Sequence, residues 1–224
     1  MTGLRLPPLL TGIATVDDPL TVAVMMAAEG CDAGTLLYNI GGEDLRAALI
    51  LAPDVPLAQA MAMLPACGIG FQNALGAVAP PEVAVHLDWD GGIRVNGGLC
   101  GRLMPRASTT DAGALPDWLI IGLQLQLWPA NDDTGHTPDI TALYAEGCAD
   151  LDPAHLLESW ARHTLVWINR WQDDGPRPLH DELNGLMPTL GKDDIIGLDE
   201  DFGLLRRSGD TTRLIPLTTL LEPS

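Results

Sequence analysis

The chain predicts an α+β fold: a mixed sheet flanked by helices, followed by a small β-rich C-terminal segment. Three observations predict it. Two helix starts are spelled Asp-Pro, at Asp18-Pro19 and Asp152-Pro153, an N-cap acceptor followed by proline at the first helical position. Between them lie apolar runs punctuated by Gly and Asn, the pattern of strands and hairpins. The elements come in blocks, helix and two strands, helix, a β-rich stretch, helix, then short strands, rather than in strict alternation.

Taken in order, Leu20 to Ala28 is the apolar run of the first helix, and Gly30 stops it. Thr35-Leu36-Leu37-Tyr38 reads as a strand, Asn39 to Asp44 as a turn around Gly41-Gly42, and Leu45 to Ala52 as the returning strand. Val55 to Ala77, rich in Ala and Met, is helical with an interruption near Pro65. Within it Gly68-Ile69-Gly70 reads as a helix break, and Pro80-Pro81 closes the segment. Val83, Val85 and Leu87 alternate with Ala84, His86 and Asp88 as a half-buried strand. Ile93-Arg94-Val95 and Leu99 to Leu103 flank Asn96-Gly97-Gly98, a strong hairpin signal. Trp118 to Leu127 is a further strand, residues 129–140 a polar loop. Leu156, Leu157, Trp160, Trp167, Ile168 and Trp171 share one helix face, which predicts core packing rather than an aromatic ligand box. Gln172 to Pro178 reads as a linker, and Ile195 to Leu217 as short strands with turns at 199–201 and 208–210. The expected division is a domain over 1–175 and a small C-terminal domain over 190–224.

Composition narrows the function. Of 224 residues, 46% are hydrophobic and 19% charged, which argues against global disorder. Twelve basic against thirty acidic side chains give a net charge of −18. Binding a nucleic-acid backbone or an anionic membrane needs clustered Lys and Arg, so neither is expected as a partner. Lys192 is the only lysine, which excludes a catalytic lysine upstream of it. The first residues lack the pattern of a secretory signal, and no span of about 18 apolar residues is expected to cross a membrane. Cys31, Cys67, Cys100 and Cys148 are scattered without a CxxC, so four reduced thiols in a cytoplasmic protein are expected.

Few motifs carry chemistry by themselves. GxxxxGK[ST], GxSxG and HExxH are absent, and Gly68-Ile69-Gly70 does not complete GxGxxG. Asp132, Asp133, His136 and Asp139 form an acidic loop whose spacing matches no metal loop, so no metal is expected there. The acidic cluster over 193–201 reads as a solvated surface that would repel an acidic carrier protein.

Six local patterns, in order over roughly residues 14 to 215, resemble the biotin–protein ligases and more broadly the biotin/lipoate protein ligase superfamily. Val16-Asp17, Ala27-Ala28-Glu29-Gly30 and Gly34-Thr35 resemble the family's first helix and strand. Trp89 followed by Ile93-Arg94-Val95-Asn96-Gly97 is similar to K-W-P-N-D-x-x-x-N-G, and Leu99-Cys100-Gly101-Arg102-Leu103 to L-A-G-I-L. Trp118-Leu119-Ile120-Ile121-Gly122 resembles the strand before G-x-N, and Thr141-Ala142-Leu143 the later A-T-S-L. Ile196-Gly197-Leu198-Asp199-Glu200-Asp201 is similar to G-I-D-E-D-G of the small SH3-like C-terminal domain. The resemblance implies the catalytic-domain fold of biotin–protein ligases, related to class II aminoacyl-tRNA synthetases, with ATP and biotin as ligands.

The ligand motifs themselves depart from the family. The glycine- and arginine-rich phosphate loop is shortened to Asn39–Asp44, and both charges in it are negative. The lysine of K-W-P-N-D is Asp88, and Pro-Asn-Asp is Asp90-Gly91-Gly92. The Ser-Thr-Asn that lines the acyl site is Asp18-Pro19-Leu20. A carboxylate in place of that lysine repels an adenylate. Three readings stay open: a ligase-like protein without adenylation that binds a small acyl ligand or a partner; an acyltransferase or ligase with a rebuilt site; and an interaction module, a homodimer included. The candidate ligand-binding residues are Trp89, Leu99, Cys100, Gly101 and Arg102. The candidate catalytic residues are Arg102, Arg94 and Cys100, the two arginines either sharing one face as replacement cations or simply solvated. Cys100 is either a nucleophile or a small buried hydrophobe, and His86 either approaches it across the sheet or is structural. Leu20 and Met25 are the side chains able to fill the pocket.

Overall fold

The elements run β1 (Thr11–Ala14), α1 (Pro19–Ala28), β2 (Thr35–Ile40), β3 (Asp44–Leu51), α2 (Leu57–Ala60), α3 (Met63–Val78), β4 (Val85–Leu87), β5 (Gly92–Val95), β6 (Gly98–Ala107), β7 (Leu119–Gln126), α4 (Pro153–Asp174), α5 (Arg177–Leu186), β8 (Ile195–Leu198), β9 (Leu204–Ser208) and β10 (Thr211–Ile215). The structure, a computed structural model, describes residues 3–129, 139–188 and 194–221. A seven-stranded sheet has the order β1-β2-β3-β7-β6-β5-β4, and β8–β10 form a separate three-stranded sheet. β1 is parallel to β2, and every other pairing is antiparallel. The mixed sheet with flanking helices is therefore the expected α+β architecture.

Both Asp-Pro starts work as N-caps. The Asp18 carboxylate accepts from the Thr21 amide at 2.9 Å, and that of Asp152 from the Ala154 amide at 3.0 Å. Strand alternation sorts side chains into two cores. Leu36, Leu49, Ile121 and Leu123 point to the helices α3, α4 and α5, whereas Leu37, Ala48, Ile50 and Ile120 meet Ala23 and Ala27 of α1. α1 packs chiefly on β2, β3 and β7, so it leaves the same face of β4, β5 and β6 less covered. That half-covered face is where a ligand can lie.

Three expectations need correction. Gly68-Ile69-Gly70 does not break the helix: both glycines lie inside α3. They let neighbours approach, since a Cβ on Gly68 would meet the Leu87 side chain at 3.0 Å and one on Gly70 the Thr164 hydroxyl at 2.6 Å. Two helical glycines cost about 1 kcal/mol each, offset by the close packing of α3 on the sheet and on α4. The break falls earlier, at Met61–Ala62, and Pro65 sits in the first turn of α3, where its missing N–H costs nothing. Gln172–Pro178 is not a linker: α4 runs to Asp174, Gly175 turns the chain at φ 75°, and α5 begins at Arg177. β1, four exposed residues at the sheet edge, escaped the sequence reading because its order comes from pairing with β2. The stretch Leu57–Val78, α2 and α3 together, is long and apolar enough to cross a membrane by length and composition, and 72% of its apolar 18-residue window is buried within the fold.

The small sheet is held to the main body through Phe202. This residue is buried and lies at φ 63°. Its carbonyl accepts from the Trp89 indole N–H at 2.9 Å, and its ring stacks on His180 with centroids 4.0 Å apart.

Candidate functional site

The Asp88–Gly92 turn between β4 and β5 is built around a carboxylate. Both oxygens of Asp88 accept from the Arg94 Nε–H, at 3.0 and 2.8 Å, and Arg94 Nη1 donates to the Gly97 carbonyl at 3.1 Å. The hydrogen bond to Asp88 is the main reason that the guanidinium is held in its charged form still more firmly than usual. Gly92 leaves room for this pair, because a Cβ there would lie 2.8 Å from Asp88 Oδ2. Gly91, at φ 90°, would drive a Cβ into the Leu103 carbonyl oxygen. Asp88-Trp89-Asp90-Gly91-Gly92 is thus an ordered ion-pair turn.

The sequence-derived candidates do not converge on one point. Arg94 is opposite Leu99 and His86, whereas Arg102 is opposite Gly92, so the two arginines are offset along the hairpin. Arg102 Nη2 lies 3.4 Å from Asp90 Oδ2, with both side chains about half exposed. Trp89 points to the seam with the small sheet, where the open space amounts to only about 20 Å³, room for a single water. Gly101 lies against the β7 backbone at Gln124, where a side chain would clash. Leu99 is tied on its other side to the 139–141 segment. Cys100 is bulged inward and 2% exposed, and burial pushes its thiol up to about 12, helped by Glu146 and Cys148. The thiolate is the nucleophile, so this burial makes Cys100 a core side chain and not an activated one. His86 is two strands from it. Asp132, Asp133, His136 and Lys192 lie outside the described residues.

The open face offers a different constellation. Cross-strand register aligns Asn39, Arg46, Gln124, Arg102 and Gly92 across five neighbouring strands. Arg46 pairs with Asp44 at 2.6 Å and reaches Asp18, the cap of α1, at 4.0 Å. Gln124 between the arginines is half-buried and makes no side-chain hydrogen bond among the described residues. Arg46 and Gln124 escaped the sequence reading. The signal was there: Gln124 is the polar phase of the alternation Leu123-Gln124-Leu125-Gln126-Leu127, and Arg46 is the one cation in an otherwise mostly apolar strand. Beside this row, Leu20 of α1 lies over Gly122, whose Cβ would meet its methyls at 3.2 and 3.3 Å. Met25 is 55% exposed and fills nothing. A wider groove of about 550 Å³ lies elsewhere, between α2, the end of α4 and the 200–202 turn, with Asp54, Glu200 and Asp201 in its wall.

The described residues do not fit the adenylate that the resemblance implies. The turn between β2 and β3 is only Gly41, Gly42 and Glu43, and Asp44, Asp88 and Asp90 face the remaining cations. A triphosphate needs uncommitted positive groups and backbone donors.

Comparison with known proteins agrees with the architecture. The family model described as "Biotin/lipoate A/B protein ligase family" matches residues 6–185, and a domain of unknown function (DUF4444) matches 195–223. A crystal structure of a biotin protein ligase-like protein of unknown function from a Silicibacter species is 56% identical, with a TM-score of 0.93, covering 98% of this chain and all of that one. Biotin protein ligase from Aquifex aeolicus superposes with a TM-score of 0.71 at 16% identity, over 92% of this chain and 94% of that one. The Leishmania major ligase in complex with biotinyl-5-AMP gives 0.58 at 17% identity, over 93% and 99%. No curated protein matches the sequence. With its family model covering most of the sequence and its sheet superposing on those enzymes, the chain belongs to the biotin/lipoate A/B protein ligase family.

Proposed function

We propose that this chain uses the ligase scaffold to bind a small acyl-type acid on the open face of the sheet, over Gln124 and Arg102, and does not adenylate it. The observation that carries this reading is the state of the arginines. Arg94 is locked by Asp88 and Arg46 by Asp44, at 2.6 and 2.7 Å, whereas Arg102 faces Asp90 only at 3.4 Å, as a half-exposed pair. An exposed pair of that kind contributes about 0–1 kcal/mol, so an incoming carboxylate can replace it at Arg102. A triphosphate brings several negative charges to a region already lined by Asp44, Asp88 and Asp90. Leu20 over Gly122 favours a short acid over a long acyl chain. Four unpaired thiols support a cytoplasmic setting.

Thermal unfolding with pentanoate, octanoate, lipoate and biotin, each with and without ATP, tests the reading together with ATP–pyrophosphate exchange. A short acid at about a hundred times its Kd adds about 2.7 kcal/mol, roughly 5 to 10 °C for a chain of this size. A short acid is expected to stabilise the protein alone, with no added effect of ATP and no exchange. ATP-dependent exchange would establish an active ligase with a rebuilt site. Silence with every acid would remove the binding function.

A further inference from the structure

Charge alternates along the row on the open face. Arg46 stands at one end between Asp44 and Asp18, Gln124 in the middle, Arg102 and Asp90 at the other. Strands neighbour each other at about 4.8 Å, which places Arg46 and Arg102 about 10 Å apart across Gln124. A carboxylate set between Gln124 and Arg102 therefore meets an unpartnered amide donor and a loosely paired guanidinium, while Arg46 beyond Gln124 stays on Asp44.

The two terminal carboxylates are not equivalent. Asp18 is committed: its Oδ2 accepts from both the Thr21 amide and the Thr21 hydroxyl, at 2.9 and 2.8 Å. Asp90 makes only a 3.4 Å contact with the Gly92 amide besides its 3.4 Å approach to Arg102, and its side chain is 43% exposed. A bound acid that draws Arg102 toward itself takes the nearest cation from Asp90 and leaves Arg94, which is held by Asp88, to act on it only at longer range. An unpaired carboxylate is then left beside the ligand, and the partner that restores its charge balance is a cation on the ligand itself.

Resting on the binding function proposed above, we infer that the acid recognised on this face is zwitterionic: a short-chain carboxylic acid carrying a protonated amine, its carboxylate on Gln124 and Arg102 and its ammonium on Asp90. Both ligand charges are met by charge-assisted hydrogen bonds. An unaminated acid meets only the first set and leaves Asp90 uncompensated.

Calorimetric titration of the full chain at neutral pH and low salt decides this. The probes are β-alanine, 4-aminobutanoate and 5-aminopentanoate, set against chain-matched propanoate, butanoate and pentanoate and against the chain-matched primary amines. The best aminated acid is expected to bind at least about tenfold more tightly than its unaminated match, and the amines not measurably. Asp90→Asn is expected to abolish that advantage, and Gln124→Ala to weaken the aminated acid. Unaminated acids binding as tightly as aminated ones would overturn the zwitterion inference and leave the acid-binding reading intact. Absence of binding by every acid would overturn both.

Discussion

Replacing Asp88 and Gly92 by alanine, singly and together, measures how far the Asp88–Gly92 turn is built around its ion pair. Asp88→Ala removes both contacts to Arg94, at 2.8 and 3.0 Å, between side chains only 21% and 30% exposed. Hydrogen bonds to charged groups contribute about 1.5–3 kcal/mol, and partial exposure lowers the expected cost to about 1–2 kcal/mol. Gly92→Ala puts a Cβ 2.8 Å from Asp88 Oδ2 and 3.3 Å from its Cγ, so the carboxylate must leave Arg94. That variant loses most of the same interaction and adds strain of about 1 kcal/mol, partly offset by the lower freedom of alanine in the unfolded chain. In the double variant the carboxylate is gone and only a 3.1 Å contact with the residue-88 Cβ remains. The double variant should therefore be about 1–1.5 kcal/mol more stable than additivity predicts. Urea denaturation followed by tryptophan fluorescence reads this difference. Additivity within about 0.5 kcal/mol would refute the claim that Gly92 exists to seat Asp88.

Other expectations follow from the same geometry. Gly70→Ala should destabilise by about 2–4 kcal/mol, because the Thr164 hydroxyl at 2.6 Å and its backbone N at 2.9 Å cannot both retreat, whereas Gly68→Ala meets only a Leu87 methyl and should cost about 1 kcal/mol or less, both read by urea denaturation. In native protein at pH 7.5, iodoacetamide should label Cys31, which is partly exposed, well before the buried Cys67, Cys100 and Cys148, and intact mass with peptide mapping checks the order. Trp89→Phe deletes the 2.9 Å hydrogen bond to Phe202, about 1 kcal/mol, and should speed hydrogen exchange across β8–β10 while sparing the main sheet. Asp201 has its carboxyl pushed above the usual range by burial first and then by Asp199 and Glu200. The folded state thus binds that proton more tightly than the unfolded one, so stability falls as pH rises from the ordinary carboxylate value, about 3.9, through the folded one. Asp201→Asn should be more stable than the parent at pH 7, and the difference should vanish as pH is lowered below that window.

Legibility tracked how local each physical cause is. The two Asp-Pro caps, the Asn96-Gly97 hairpin and the alternation before Leu127 depend on a few neighbouring residues, and each became the element it announces. Gly68 and Gly70 misled because a glycine in a helix reads locally as a weakness. Its purpose lies in Leu87 and Thr164, far away in the chain. β1 was missed for the same reason: Thr11–Ala14 is a strand only because β2 pairs with it. At the site, the loss of the lysine at position 88 was visible, but the replacement pair with Arg94 was not.

By itself the sequence determined that this is a strongly acidic α+β chain with ligase-like motifs in order, and that its adenylate motifs are altered. Residue type and spacing are enough for those statements, since charge, caps and periodicity act within a turn or two. Only the tertiary structure decided what the altered residues do. It set Asp88 on Arg94, turned Cys100 inward, gave Trp89 to Phe202, and brought Arg46, Gln124 and Arg102 from three separate strands into one row. Those relations are products of strand register, and register is fixed by the burial of one face of the whole sheet rather than by any single segment.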